Sequence, residues 1–168
     1  GQALFRSDHR KLVEIDHQVA YVGGMNFAKS FDGWRDLMVR AEGPVAAQSG
    51  AEFLGRWVDL GGTVSRKQWT MPRKAALAPT AAGKASAKLV ANSPGGDLAN
   101  TEHFLRDVGA AKKRVWVITP NIGTPDLVAP LLQAARAGLD VRIVMPGGRA
   151  GFVGRLMNTL SRTFYQEL

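Results

Sequence analysis

The stretch VWVITPNIGTPDLVAPLLQAARAGLDVRIVM, residues 115–145, decides the fold. Val115-Trp-Val-Ile118 is an uninterrupted apolar run of strand length, the kind a parallel sheet buries on both faces. Asp126 to Ala137 is helix-length and is closed by Gly138, the residue that most easily takes left-handed backbone at a helix end. Leu139-Asp-Val-Arg-Ile-Val-Met145 is a second strand. Strand, helix and strand on short connections predict a parallel β-α-β unit with a right-handed crossover. Working outward, Lys88–Ala91 reads as a further strand and Ala99–Ala111 as a helix with Phe104, Leu105 and Val108 on one side. Phe152–Glu167 reads as a closing helix. The order predicts an α/β fold, a mixed and mostly parallel sheet flanked by helices. No internal repeat is visible.

The first third has a different rhythm. Lys11–Ile15 and Val19–Val22 are short runs of strand character around an Asp16-His17 turn, which predicts a hairpin ending in Gly23-Gly24. Leu37–Ala41 predicts a third strand. Gly43-Pro44 then opens a helix, because proline suits a first helical turn. Val45, Phe53, Leu54, Trp57 and Val58 give that helix its apolar side, and Gly61-Gly62 ends it. Residues 63–86 mix Arg66, Lys67, Arg73, Lys74 and Lys84 with alanine, proline and threonine without a sustained period, and read as a basic linker or loop.

Composition narrows the partners. The chain has 168 residues and a formal net charge of +8, which favours phosphate-bearing partners: anionic headgroups, a phosphodiester substrate or nucleic acid. It has no cysteine, which excludes disulfides and thiolate–metal sites, and three histidines are too few to favour a multi-histidine zinc centre. No stretch approaches the roughly 18 apolar residues of a membrane span. The start, GQALFRSDHRK, has no signal-peptide pattern and no methionine, so a piece of a longer protein is expected.

One constellation carries chemistry: His9-x-Lys11-x4-Asp16-x6-Gly23-Gly24-x-Asn26. On an extended chain, residues i and i+2 point to one side, so His9 and Lys11 project together while Arg10 points away. An imidazole beside an ammonium suits attack on a phosphodiester: the first supplies the nucleophile, the second offsets charge on the phosphoryl oxygens. Asp16 lies at odd offsets from both, which aims it elsewhere or into the turn and makes it a structural carboxylate rather than a base. Gly23-Gly24 allows backbone N–H groups to approach an anion, and Asn26 adds an amide donor. The H-x-K-x4-D core alone arises by chance in about one such chain in a hundred, and the whole pattern in about one in a million.

These residues resemble the phospholipase D superfamily, and around the motif its bacterial cardiolipin synthase branch. Asp8-His-Arg-Lys-Leu12 with Val19-Ala-Tyr-Val-Gly-Gly-Met-Asn26 is similar to that branch's first catalytic motif. Trp34-Arg-Asp-Leu-Met-Val-Arg-Ala-Glu-Gly-Pro-Val45, followed by Gln48, Phe53 and Trp57, resembles the segment after it. Ala110–Pro120 and Ala134–Pro146 resemble the opening of the family's second lobe. The resemblance implies that residues 1–62 end a first lobe, 63–86 connect, and 87–168 begin a second.

It further implies a phosphatidyltransferase that moves a phosphatidyl group between phosphatidylglycerols through a phosphohistidine, without metal or cofactor. His9 would be the nucleophile, Lys11 and Asn26 would bind the phosphoryl group, and Asp16 would be structural. The implied setting is the cytoplasmic side of a bacterial membrane, with the chain peripheral to it and anionic phospholipid as substrate.

The pattern departs from the family in one decisive respect. Two residues after His17 stands Val19, and two after His103 stands Leu105, so His9 begins the single H-x-K. Little or no transferase activity is therefore expected of the chain alone, which needs a missing second lobe or a homodimer partner. Joining the end of one lobe to the start of the next would also permit one compact α/β unit, with the motif hairpin completing its sheet. Asn121 replaces an aromatic usual in the branch, and Arg149 beside Gly147-Gly148 is a weaker phosphate candidate. Other readings are a phosphodiesterase, phospholipase or nuclease, working as a homodimer with one motif per chain, and a non-catalytic basic module for acidic lipid or nucleic acid. Glu42-Gly-Pro-Val45 favours lipid over nucleic acid.

Overall fold

The computed structural model describes residues 8–77, 83–92, 98–120, 122 and 125–145. The chain divides into two compact units, residues 1–90 and 91–168.

In the first unit, β1 (Lys11–Ile15), β2 (Val19–Gly23) and β3 (Met38–Glu42) form an antiparallel sheet with β2 in the centre. The hairpin register runs from Lys11↔Gly23 to Ile15↔Val19, and β2 meets β3 from Val19↔Glu42 to Gly23↔Met38. Asp16 and His17 turn the chain with φ of 53° and 57°, and Gln18 N–H closes the turn onto the Ile15 carbonyl at 3.0 Å. Left-handed backbone at two successive positions matches the twist of a hairpin, and Asp tolerates it better than most residues.

Helix α1 (Pro44–Asp59) packs on this sheet. Its contact face is built of small residues: Ala46, Ala47, Ser49 and Gly50 are buried, as is Ala20 of the central strand. Small side chains bring the helix close to the strands. Gly61, at φ 88°, ends α1, with Gly62 N–H bonded to the Trp57 carbonyl and Gly61 N–H to that of Val58, both at 2.9 Å. This double closure satisfies carbonyls that a helix end otherwise strands.

Residues 63–86, read as a linker, contain a helix, α2 (Arg66–Leu77), which packs against α1. A capping box nucleates it: Ser65 N–H donates to Gln68 Oε1 at 2.9 Å, and Gln68 N–H to Ser65 Oγ at 3.2 Å. Pro72 interrupts the intrahelical bonding and masks the period, yet it is fully buried on the inner side. The expected strand at Lys88–Ala91 is not formed. Leu89 and Val90 are half-buried without a ladder, and Leu89 N–H reaches Gln48 Oε1 of α1 at 3.4 Å. Two apolar residues between Lys88 and Ala91 are too few to hold a partner strand.

In the second unit, α3 (Ala99–Gly109) precedes β4 (Arg114–Ile118), α4 (Pro125–Arg136) and β5 (Asp140–Val144). β4 and β5 pair in parallel, in register from Arg114↔Asp140 to Ile118↔Val144. This is the predicted β-α-β unit, with Gly138 at φ 82° ending its helix. The core is Val108, Ile122, Val128 and Leu131, with Phe104, Val115, Val117 and Ile143 packed against it. The alternate residues Trp116, Ile118 and Val144 face the other way, and Trp116 is 56 % exposed. The guanidinium groups of Arg114 and Arg142 lie 4.5 and 5.2 Å from the centre of its ring, and its N–H donates to Asp140 at 3.1 Å.

The fold is thus mixed α/β, as expected, with the parallel pairing confined to β4 and β5. Among the described residues the strands form two sheets, β1–β3 in the first unit and β4–β5 in the second. The expected helix at Phe152–Glu167, with Gly147, Gly148, Arg149 and Asn121, lies outside the described residues.

Candidate active site

His9 stands just before β1 and Lys11 is the first residue of that strand. Their side chains share a side, as the i, i+2 spacing requires. Lys11 Nζ lies 2.9 Å from His9 Nδ1 and donates to the His9 carbonyl at 2.6 Å. Both groups are accessible.

Arg10 points the other way, and there it is anchored. Its Nε donates to Asp8 Oδ1 at 2.9 Å, and its Nη1 pairs with Glu52 of α1. Arg56, one helical turn beyond Glu52, donates from Nε to Asp8 Oδ2 at 2.8 Å. Hydrogen bonds from the Arg10 side chain, with lesser help from Arg56, hold the Asp8 carboxyl well below the usual carboxylate range. His9 itself has no place in the ladder. Its backbone is fixed by the residues on either side, which α1 grips.

The remaining motif residues divide between the two ends of the hairpin. Gly23 is the ladder partner of Lys11, so Gly23, Gly24 and Asn26 belong to the His9–Lys11 end. Asp16 lies five residues along the strand from Lys11, ~17 Å away at ~3.4 Å per residue. The hairpin places it in the far turn, exposed and away from both His9 and Lys11. The Gly24 N–H, expected to approach an anion, donates to the Leu37 carbonyl at 3.0 Å. Gly23 has a steric reason to be glycine: a Cβ there would fall 2.1 Å from the Leu37 carbonyl oxygen.

His17, in the turn, was not singled out as a site residue. It leans against α1, where a Cβ on Gly50 would fall 2.6 Å from its Nδ1. Glu14 Oε1 is 3.2 Å from that nitrogen but poorly aligned, so the buried Nδ1 lacks a proper hydrogen bond. Asp8, Arg10, Glu52 and Arg56 were missed as well. The signal for them was the i, i+4 pair Glu52–Arg56 on the helix and the i, i+2 pair Asp8–Arg10 on the strand. Among the described residues no group of three or more His, Asp or Glu side chains is arranged to hold a metal.

Chemically, the arrangement presents an accessible imidazole with a cation at its side. When a neutral imidazole accepts a hydrogen bond at Nδ1 from Lys11, its Nε2 carries the ring hydrogen. For Nε2 to act as a nucleophile, the proton must reside on Nδ1 and the ammonium must turn from the ring. An incoming phosphoryl oxygen offers the ammonium that alternative.

This chain is similar in sequence to bacterial proteins named cardiolipin synthase. It is 33% identical to cardiolipin synthase A of Buchnera aphidicola subsp. Acyrthosiphon pisum (strain APS), over 95% of this chain and 34% of that protein. Cardiolipin synthase 1 of Bacillus cereus is 30% identical over 83% of this chain and 30% of its own length. A cardiolipin synthase of Listeria monocytogenes serotype 4a (strain HCC23) is 28% identical over 95% and 36%. The chain therefore spans about a third of the length of the relatives it matches. No family model and no solved structure matches it.

Proposed function

We propose that this chain supplies one of the two catalytic halves of a phospholipase D-type phosphatidyltransferase resembling cardiolipin synthase. The observation that carries the reading is the contact between Lys11 Nζ and His9 Nδ1, formed on an accessible strand end and braced from behind by α1. In this reading the His9 Nε2 lone pair attacks phosphorus of phosphatidylglycerol, and the phosphorus–oxygen bond to glycerol breaks. Lys11 and the Asn26 amide neutralise and orient the phosphoryl oxygens. Gly23 and Gly24 contribute close approach rather than N–H donation, and Asp16 belongs to the turn. The glycerol oxygen needs a proton as it leaves. That proton comes from a second half, in another lobe or a second copy of the chain, which then activates the acceptor phosphatidylglycerol.

A leaving group that needs no proton isolates the step assigned to His9. Incubated with a nitrophenyl phosphodiester, the chain should release nitrophenolate and acquire an acid-labile phosphoryl adduct at His9, read by mass spectrometry. His9→Ala should acquire none. Equal nitrophenolate release by both proteins, with no adduct, would overturn the assignment. The single H-x-K also favours a second arrangement, a homodimeric phosphodiesterase that pairs two copies of His9. Concentration-dependent dimerisation with hydrolysis of unactivated lipid would select it.

A further inference from the structure

Helix α2 carries its charge on one side. Its sequence, RKQWTMPRKAAL, contains Arg66, Lys67, Arg73 and Lys74 and no carboxylate. At 3.6 residues per turn, spacings of one, seven, eight and eleven put Arg66, Lys67, Arg73, Lys74 and Leu77 on one stripe. Pro72, on the opposite side, is fully buried, with Ala75 and Ala76 partly so. The cationic stripe therefore faces out. Among the described residues none of its four cations is ion-paired.

Apolar side chains border and end this stripe. Trp69 is 53 % exposed on one flank, Met71 42 % on the other, and Leu77 80 % at the end. Cations alone fit any polyanion. Cations bordered by an exposed indole and aliphatic tips fit a surface with charge outside and hydrocarbon just beneath it, the headgroup boundary of an anionic bilayer.

We propose that the outward face of α2 docks this chain on an anionic lipid surface. The four cations sit among the headgroup phosphates, while Trp69, Met71 and Leu77 enter the boundary layer. The choice of a bilayer rests on the phosphatidyl reading of the site; the geometry of the face does not depend on His9.

The test is co-sedimentation of the whole chain with vesicles of phosphatidylcholine, with and without phosphatidylglycerol. The chain should bind only the anionic vesicles, and less as salt rises. Lys67→Gln with Lys74→Gln should weaken binding ~25-fold, at ~5-fold per cation near the surface. Trp69→Ala should weaken it severalfold and leave the salt dependence intact. Neutralising the exposed pair Lys112 and Lys113 in the same way should change little, and circular dichroism checks that each variant is folded.

Equal losses from the two lysine pairs would overturn the proposal, leaving net charge as the cause. So would binding to single-stranded DNA through Lys67 and Lys74 without binding to vesicles. His9→Ala should bind like the wild type, so absence of a phosphoryl adduct at His9 sinks the catalytic reading and leaves this result standing.

Discussion

Arg56 donates from Nε to Asp8 Oδ2 at 2.8 Å, joining α1 to the start of the motif strand across forty-eight positions of sequence. With the Arg10–Glu52 pair it makes two ties on the side of the strand that His9 and Lys11 do not use. The four side chains are between 22% and 31% exposed, so water screens them only in part. Arg10→Met keeps the aliphatic stem and cuts the tie to Glu52 together with the bonds from Arg10 to Asp8, leaving the Arg56–Asp8 tie in place. It should destabilise the first unit by ~1–3 kcal/mol, the range for charge-assisted hydrogen bonds, as measured by urea unfolding. It should also abolish the nuclear Overhauser contact between His9 and Lys11; an unchanged contact would mean that α1 does not position the pair.

The same cluster fixes a pH dependence. Asp8 has a folded-state pKa held below its unfolded value of ~3.9, first by the Arg10 side chain. A depressed carboxylate adds stability that is complete above the unfolded pKa and is lost as pH falls toward the folded one. Unfolding free energy should therefore drop as pH is lowered below about 4. Asp8→Asn should flatten that acid limb, while remaining less stable than the wild type near neutrality.

Gly23 and Gly24 should respond differently to alanine. At Gly23 the new Cβ meets a backbone oxygen, Leu37 O, at 2.1 Å, and β3 has to move. At Gly24 the nearest atom is Asp36 Oδ1 at 3.0 Å, the end of a side chain that can rotate. Gly23→Ala should cost ~2–3 kcal/mol and loosen the β2–β3 ladder in hydrogen exchange, whereas Gly24→Ala should stay within ~1 kcal/mol.

Gly50→Ala should separate two effects. Alanine improves helix propensity by ~1 kcal/mol, but its methyl would strike His17 Nδ1, 2.6 Å away. A net loss of ~1–2 kcal/mol is expected in thermal unfolding. Adding His17→Ala removes the obstruction, so the double variant should recover stability relative to Gly50→Ala alone.

Substitution of Lys11 should separate the proposed phosphate contact from folding. Lys11→Ala should slow nitrophenolate release about 10²–10³-fold, as expected for loss of a group aimed at developing charge. Its unfolding curve should match the wild type closely, because the Lys11 side chain forms no ion pair among the described residues. A rate unchanged by Lys11→Ala would remove this residue from the chemistry.

What the sequence determined by itself is local. Strand parity put His9 beside Lys11 and turned Arg10 away; the Asp16-His17 turn and the stops at Gly61 and Gly138 follow from which residues tolerate left-handed backbone. The β-α-β unit was legible because its apolar runs and its helix differ in period. α2 was hidden by Pro72, although Ser65 and Gln68 signalled its start. Only the tertiary structure decided what crosses between elements. Glu52 and Arg56 reach Arg10 and Asp8 because Ala46, Ala47 and Gly50 let α1 settle close to the sheet. Burial of Pro72 against the inner side sets which way the cations of α2 face. Sidedness of this kind depends on contacts between residues far apart in the chain, which no local period encodes. The motif thus announces an imidazole and an ammonium, and packing decides how firmly they are held and which surface is left free.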